Sequence, residues 1–199
     1  MSTIAIIDSG GANIASLLFA FERLGRNAEL TIDPAVIRSA DRVLLPGVGA
    51  AKDAMDRLRD AQLLDVIRKL TQPVLGICLG MQLLLDGSEE EDVECLGIVP
   101  GTARLLPSTA LCPVPNMGWC ATTKTDNHPL LDGVPDGSYF YYLHSYALPV
   151  SEHTLATARH AEQFSAVIGQ NNFIASQFHP ERSSNVGARL LRNFLNGVT

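Results

Sequence analysis

Three short apolar runs, at residues 3–7, 42–45 and 74–77, each stop at a glycine-bearing turn. A run of that length without polar alternation does not suit a strand with one face in water. It suits a strand buried on both faces, which implies a parallel sheet with helices packed on either side. The segments between supply the helices. Ile14, Leu17, Leu18, Phe21 and Leu24 fall on one helical face, and Gly25 follows where a cap belongs. Asp33-Pro34 reads as an N-cap with proline at the first helical position. Leu63, Leu64, Ile67 and Leu70 mark a helix before the run at 74–77, and residues 81–85 begin another after it. Strand and helix alternating at this pitch predict an α/β fold with an open, mostly parallel sheet flanked by helices.

Beyond Asp86 the pattern changes. Prolines stand at 100, 107, 113, 115, 129, 135 and 149, with strand-like runs at 103–106, 138–143, 164–168 and 173–177. These predict additional antiparallel strands and long loops beside the parallel sheet. Val186, Leu190, Leu191, Phe194 and Leu195 place a helix at the end. With no repeat, low-complexity tract or linker, residues 1–199 read as one domain.

A hydrophobic fraction of 46% against 18% charged residues supports a packed core rather than disorder. Net charge is −6 and the pI near 5.3, so no basic face offers itself to nucleic acid or an anionic membrane. A small molecule or a protein is the expected partner. No apolar run approaches the roughly 20 residues of a membrane span. The N-terminal residues run into an apolar segment without a basic stretch, so no cleavable leader is expected. The four cysteines contain no C-x-x-C pair. The expectation is a cytoplasmic protein with reduced thiols, no metal and no cofactor.

Gly76-Ile77-Cys78-Leu79-Gly80 joins the run at 74–77 to the helical segment that follows. This is G-x-C-x-G in the strand–turn–helix setting of a nucleophile elbow. The turn holds the cysteine in a strained conformation, and the glycines let strand and helix approach without Cβ clashes. The start of a helix also favours a negatively charged sulfur. A buried packing cysteine is the competing reading. That reading suits Cys95, Cys112 and Cys120, which lack glycine turns and lie in the loop-rich half.

A thiol nucleophile needs a base, and the base needs a group that fixes its tautomer. Of the five histidines, His128, His153 and His160 sit among turn or polar residues and read as surface residues. His144, at the end of an aromatic strand, reads equally well as a core or a site residue. His179-Pro180-Glu181 is delivered by the strand-like run 173–178 to the carboxyl end of a strand. Ligand sites of open sheets lie at that edge, and Cys78 falls there too. The two-residue offset sends His179 and Glu181 the same way, and Pro180 stiffens the link. Glu181 is thus placed to orient His179 and stabilise its imidazolium.

Acyl chemistry also requires N–H donors at the oxyanion. Pro46-Gly47-Val48-Gly49 follows a buried strand, and glycines on both sides of Val48 permit an unusual peptide orientation. Gly47, Val48 and the Leu79 N–H are the candidates. Ser9-Gly10-Gly11-Ala12-Asn13 lacks the G-x-G-x-x-G spacing, so nucleotide binding is rejected.

In this order and spacing, P-G-V-G, G-I-C-L-G-M-Q and H-P-E-R-S resemble the class I (triad) glutamine amidotransferases. Over essentially the whole chain the sequence is most similar to glutaminase subunits of imidazole glycerol phosphate synthases, from histidine biosynthesis. Further markers are Ser88-Glu89-Glu90, Met117-Gly118-Trp119 and His144-Ser145-Tyr146. The resemblance implies a flavodoxin-like class I amidotransferase fold and hydrolysis of L-glutamine by Cys78, with His179 shuttling the proton and Glu181 orienting it. Gly47, Val48 and Leu79 would form the oxyanion region. Gln82 and Glu90 would meet the amino-acid end of the substrate, with the Ser145–Tyr146 backbone at its carboxylate. Ammonia would pass to a (β/α)₈-barrel cyclase subunit in a heterodimer, which joins it to a phosphorylated ribulosyl aminoimidazole. Asn13, Tyr141 and Arg182 would lie toward that partner.

The family's opening Asp-Tyr-Gly-x-Gly-Asn is here Asp8-Ser9-Gly10-Gly11-Ala12-Asn13, with Asn13 in register. Arg182 stands where many members carry lysine, which keeps the charge and changes the geometry. Glutaminase subunits serving pyridoxal phosphate, anthranilate or aminodeoxychorismate synthesis share the elbow and the H-x-E. Pro46-Gly47-Val48-Gly49, Met117-Gly118-Trp119 and Arg182-Ser183 weigh against them. A non-catalytic redox sensor of the same fold would keep Cys78 but has no use for His179-Pro180-Glu181.

Overall fold

The computed structural model of the chain describes residues 3–10 and 14–197. Asn13 therefore lies outside the described residues. The first half runs β1 (Ile4–Ile7), α1 (Ile14–Arg23), β2 (Ala28–Thr31), α2 (Pro34–Ser39), β3 (Arg42–Gly47), α3 (Ala51–Asp60), α4 (Leu64–Arg68), β4 (Val74–Cys78) and α5 (Leu79–Leu83). Three short strands follow: β5 (Gly87–Ser88), β6 (Val93–Glu94) and β7 (Thr102–Leu105). The longer strands are β8 (Asn116–Lys124), β9 (Ser138–His144), β11 (Thr154–His160) and β12 (Glu162–Gln170), with β10 (Tyr146–Ala147) between β9 and β11. β13 (Phe173–Ser176) and α6 (Ser184–Asn196) complete the order.

One nine-stranded sheet runs β2-β1-β3-β4-β13-β12-β11-β8-β9. From β2 to β13 all neighbours are parallel. From β13 to β9 all are antiparallel. The antiparallel strands thus continue the parallel sheet edge to edge, and β13 is the seam. A second sheet pairs β10-β7-β5-β6.

The apolar runs follow from the two cores. Ile4, Ile6, Leu44, Leu75 and Ile77 face one core with Leu17 and Phe21 of α1 and Leu190, Leu191 and Phe194 of α6. Ala5, Ile7, Val43, Leu45 and Val74 face the other with Met55, Leu58 and Ile67. Every residue of such a strand meets apolar neighbours, each Ile or Leu contributing about 1.5–3 kcal/mol on burial. The caps form as expected. The Asp33 carboxylate accepts from the Ala35 N–H at 2.7 Å. Gly25, at φ 71°, ends α1, and its N–H donates to the Glu22 carbonyl at 2.8 Å.

Four elements carry little signal in the sequence. β2 exposes Glu29 and Leu30, so it shows no apolar run. α3 buries Ala51, Ala54, Met55 and Leu58, two of them alanines on an otherwise charged helix. β8 alternates exposed residues with polar or small ones that are buried or half-buried, and β11 is built largely of Thr and Ala. Pro46-Gly47 does not break β3. Pro46 and Gly47 stay in the ladder opposite Ile77 and Cys78. Among the described residues no helix is long and apolar enough to cross a membrane.

Candidate active site

β4 ends at Cys78 and α5 starts at the next residue. Cys78 has φ 54° and ψ −111°, a conformation that costs free energy for any residue with a Cβ. The flanking glycines show what holds it there. A Cβ on Gly80 would fall onto the Leu45 carbonyl oxygen of β3. One on Gly76 would come within 2.9 Å of the Ala175 Cβ and 3.0 Å of the Gly80 oxygen. Only glycine lets β3, β4, β13 and α5 pack this closely.

His179 arrives from the neighbouring strand. β13 pairs with β4, Ser176 opposite Ile77, and the chain then crosses to the other half of the molecule. There the His179 N–H donates to the Tyr141 carbonyl at 2.9 Å. Ser183 Oγ fastens this crossing by donating to the His179 carbonyl at 2.7 Å and accepting from the Tyr141 N–H at 3.0 Å. The His179 and Glu181 side chains are almost wholly buried, and Nδ1 lies 2.9 Å from Oε1. A carboxylate only accepts, so Nδ1 carries a proton toward Glu181, and Nε2 is the ring position that Glu181 does not occupy.

Burial disfavours the charged ring, but the Cys78 sulfur and then the Glu181 carboxylate outweigh it and raise the His179 pKa to about 10. The sulfur is therefore close enough to act on the ring. Its own hydrogen bond goes elsewhere, to the Leu143 carbonyl at 3.6 Å, and Nε2 has no hydrogen-bond partner among the described residues.

Cys78 and His179 open onto a cavity of about 240 Å³. Its wall also includes Val48, Leu79, Gln82, Glu90, Ser145 and Tyr146. Drug-sized pockets start near 300 Å³, so this one suits a free amino acid. Gly47 lies behind the wall, opposite Cys78 in the ladder. It lines a second chamber of about 20 Å³, room for a single water, shared with Val48, His179 and Glu181. The Ser9 hydroxyl donates to the Pro46 carbonyl at 2.6 Å and anchors this loop. Glu90 is held by the Ala51 N–H at the start of α3, 3.1 Å from Oε2.

His144 is a site residue of a structural kind. Its Nδ1 lies 2.9 Å from the Tyr146 carbonyl and its Nε2 3.1 Å from the Asn116 amide nitrogen. The carbonyl only accepts and the NH₂ group donates, so the ring carries its proton on Nδ1 and is neutral. Burial pushes its pKa down to about 4 against the opposing pull of the Tyr146 carbonyl, and the nearby His160 and His179 depress it further. Cys95 and Cys120 pack against the cores, and burial raises the Cys95 thiol to about 11 and also raises Cys120. Among the described residues no cluster of His, Cys, Asp and Glu could hold a metal ion.

Outside the cavity, the Arg182 guanidinium lies 4.3 Å over the Tyr141 ring, and Trp119 meets that ring edge-on at 6.1 Å. Met117, Trp119 and Tyr139 around them are more than half exposed, at 68%, 51% and 60%.

The fold thus brings together, on an open α/β sheet, a strained elbow cysteine, a buried His–Glu pair and an amino-acid-sized cavity. The chain belongs to the class-I glutamine amidotransferase family, whose model matches residues 5–198. Within that class it is 50% identical over 198 residues to the imidazole glycerol phosphate synthase subunit HisH of Haemophilus influenzae, covering 100% of this chain and 99% of the relative. It is 47% identical over 198 residues to the subunit of that name from Vibrio cholerae, covering 96% and 97%. Among solved structures, a putative GMP synthase component from Thermoplasma acidophilum superposes with a TM-score of 0.73 at 19% identity, covering 98% of this chain and 92% of its own. A glutamine amidotransferase from Thermotoga maritima gives 0.67 at 16%, covering 98% and 83%. At those identities the likeness concerns the fold.

The sequence motifs bring the cavity residues together but leave out several that hold them. Ser9, Asn116 and Gln177 carry no motif signature of their own, and Ser183 stands out only as part of the H-P-E-R-S run. Their signal is spatial: each is a buried polar residue whose hydrogen bond ends on a residue of the site.

Proposed function

We propose that the chain is the glutaminase subunit of an imidazole glycerol phosphate synthase, hydrolysing L-glutamine and passing ammonia to a (β/α)₈-barrel cyclase subunit in the cytoplasm. The reading treats residues 1–199 as one domain. The observation that carries it is His179, backed by buried Glu181, on the wall of a cavity sized for one amino acid that the elbow cysteine also lines.

In this reading His179 Nε2 takes the Cys78 proton as the sulfur attacks the side-chain amide carbon of glutamine. The carbonyl π electrons move to oxygen, and the Val48 and Leu79 N–H groups, with Gly47 shaping the loop, receive the oxyanion. The oxyanion collapses, the C–N bond breaks, and His179 returns the proton to the leaving nitrogen as ammonia departs. Water then attacks the thioester with His179 taking its proton. The C–S bond breaks, glutamate leaves, and the sulfur regains its proton. Glu181 keeps Nδ1 protonated and stabilises the imidazolium at each stage. Glu90 and Gln82 bind the amino end of the substrate, and the Ser145–Tyr146 backbone binds its carboxylate. Asn13, Tyr141 and Arg182 face the cyclase, with exposed Trp119 and Met117 beside the last two supporting a partner-covered surface.

Cys78→Ala provides the test. In the complex it is expected to abolish glutamine-dependent synthesis while synthesis from added ammonium salts continues, because only ammonia release needs the thiol. Equal loss of both activities contradicts this division of labour.

A further inference from the structure

We propose that Gln177, a residue with no surface in the cavity, is the positioning residue that decides which atom of Gln82 meets the substrate, and so makes the site selective for an α-ammonium group. The inference rests on the glutaminase reading of the cavity.

Gln82 projects from α5 onto the cavity wall, and its amide could present either oxygen or nitrogen. The surroundings allow one orientation. Nε2 lies 2.9 Å from the Tyr146 carbonyl, an acceptor that also takes the His144 Nδ1 proton at 2.9 Å. The second Nε2 proton meets the Gln177 Oε1 at 3.3 Å. Both protons are spent, so the amide atom left for a ligand is Oε1, an acceptor. Turning the Gln82 amide over would set its oxygen against two other acceptors.

Gln177 bears a cost for this. It is wholly buried, its N–H is held by the Ala166 carbonyl at 2.9 Å, and its side-chain Nε2 has no partner among the described residues. Reversing its own amide would bring two NH₂ groups face to face, so the unpartnered nitrogen is the consequence of aiming Oε1 at Gln82. Gln82 and Glu90 both line the cavity, so the free Gln82 oxygen and the Glu90 carboxylate are the acceptors these two side chains can offer a ligand there. Two acceptors, one of them anionic, attract an ammonium group and repel a carboxylate.

The experiment compares L-glutamine with glutaric acid monoamide, which is glutamine without its α-ammonium group, in the intact synthase complex. The wild type is expected to prefer glutamine strongly. Gln177→Met removes the acceptor, and Gln177→Asn withdraws it by one methylene. Each is expected to reduce that preference about tenfold or more, the effect of one charge-assisted hydrogen bond. The loss should appear as a raised KM for glutamine with kcat/KM for the monoamide unchanged. Gln177→Glu keeps an oxygen toward Gln82 and should retain the preference. Thermal melting identifies which variants fold, and either substitution alone carries the test. Equal losses on both substrates in a folded variant, or a wild type that does not distinguish them, would overturn the proposal. A wild-type complex unable to hydrolyse glutamine at all would overturn the glutaminase reading instead.

Discussion

Taking the protein from pH 7 to pH 4 sets His144 against its surroundings. The unfolded chain carries this histidine at its ordinary value near 6.5, whereas burial in the fold holds it at about 4. Between those values the unfolded state binds a proton that the folded state does not, so stability is present above 6.5 and lost as pH falls through the window. For a side chain this buried the loss amounts to about 3 kcal/mol. The structural reason is visible in the ring's contacts. A proton on Nε2 would point at the Asn116 NH₂ group, and His160 and His179 add positive charge nearby. The raised pKa of His179 acts in the other direction and only above 6.5, as stability lost between there and about 10. Asp41 and Asp56, both lowered by their hydrogen bonds, act below 3.8. Burial lowers His128 as well, but that contribution persists in a variant lacking His144. Urea unfolding of the full chain at pH 7, 6, 5 and 4, for wild type and His144→Gln, isolates the effect. The wild type should lose about 3 kcal/mol more than the variant over this range. Parallel stability curves would refute the neutral-ring assignment.

Two further substitutions test the site's construction. Glu181→Gln keeps a hydrogen-bonding group beside His179 and removes a charge that, after the Cys78 sulfur, helps raise its pKa. Steady-state kinetics of the complex should show turnover lowered on the order of tens- to thousands-fold with KM little changed, and normal turnover would count against the pair. Gly80→Ala places a methyl on the Leu45 carbonyl, where backbone rather than a side chain must yield. A loss of about 3 kcal/mol or more is expected, lowering Tm by roughly 6–12 °C. An unchanged melting temperature would mean that the elbow is not packed as described.

The parallel half was legible because its strands are buried on both faces, which forces apolar runs and turns that glycine must occupy. Residues 74–80 show this best: the alternation of cores explains Val74 and Leu75, and the close approach of β3 explains Gly80. Cys78, His179 and Glu181 were legible because strained turns and short offsets restrict residue type. β2 and α3 were not, since an edge strand and an alanine-lined helix bury too little apolar surface to leave a pattern. Gln177 was hidden for another reason. Its role depends on Gln82 and Tyr146, distant in sequence, and a glutamine within a strand-like run has no local marker.

The seam at β13 ties chemistry to the closing of the sheet. Strands β4 and β13 hydrogen-bond side by side, yet the residues they deliver lie about a hundred positions apart, and such a closure is slow and entropically costly. In the proposed mechanism, a growing chain that has completed β4 carries the thiol without its base, and it stays without one until the last strand inserts. The enzyme cannot become a thiol hydrolase halfway through folding. For the same reason a cut near Leu111, a residue 93% exposed, would part nucleophile from base. Glutaminase activity recovered on mixing the two fragments would then report the insertion of one strand beside another.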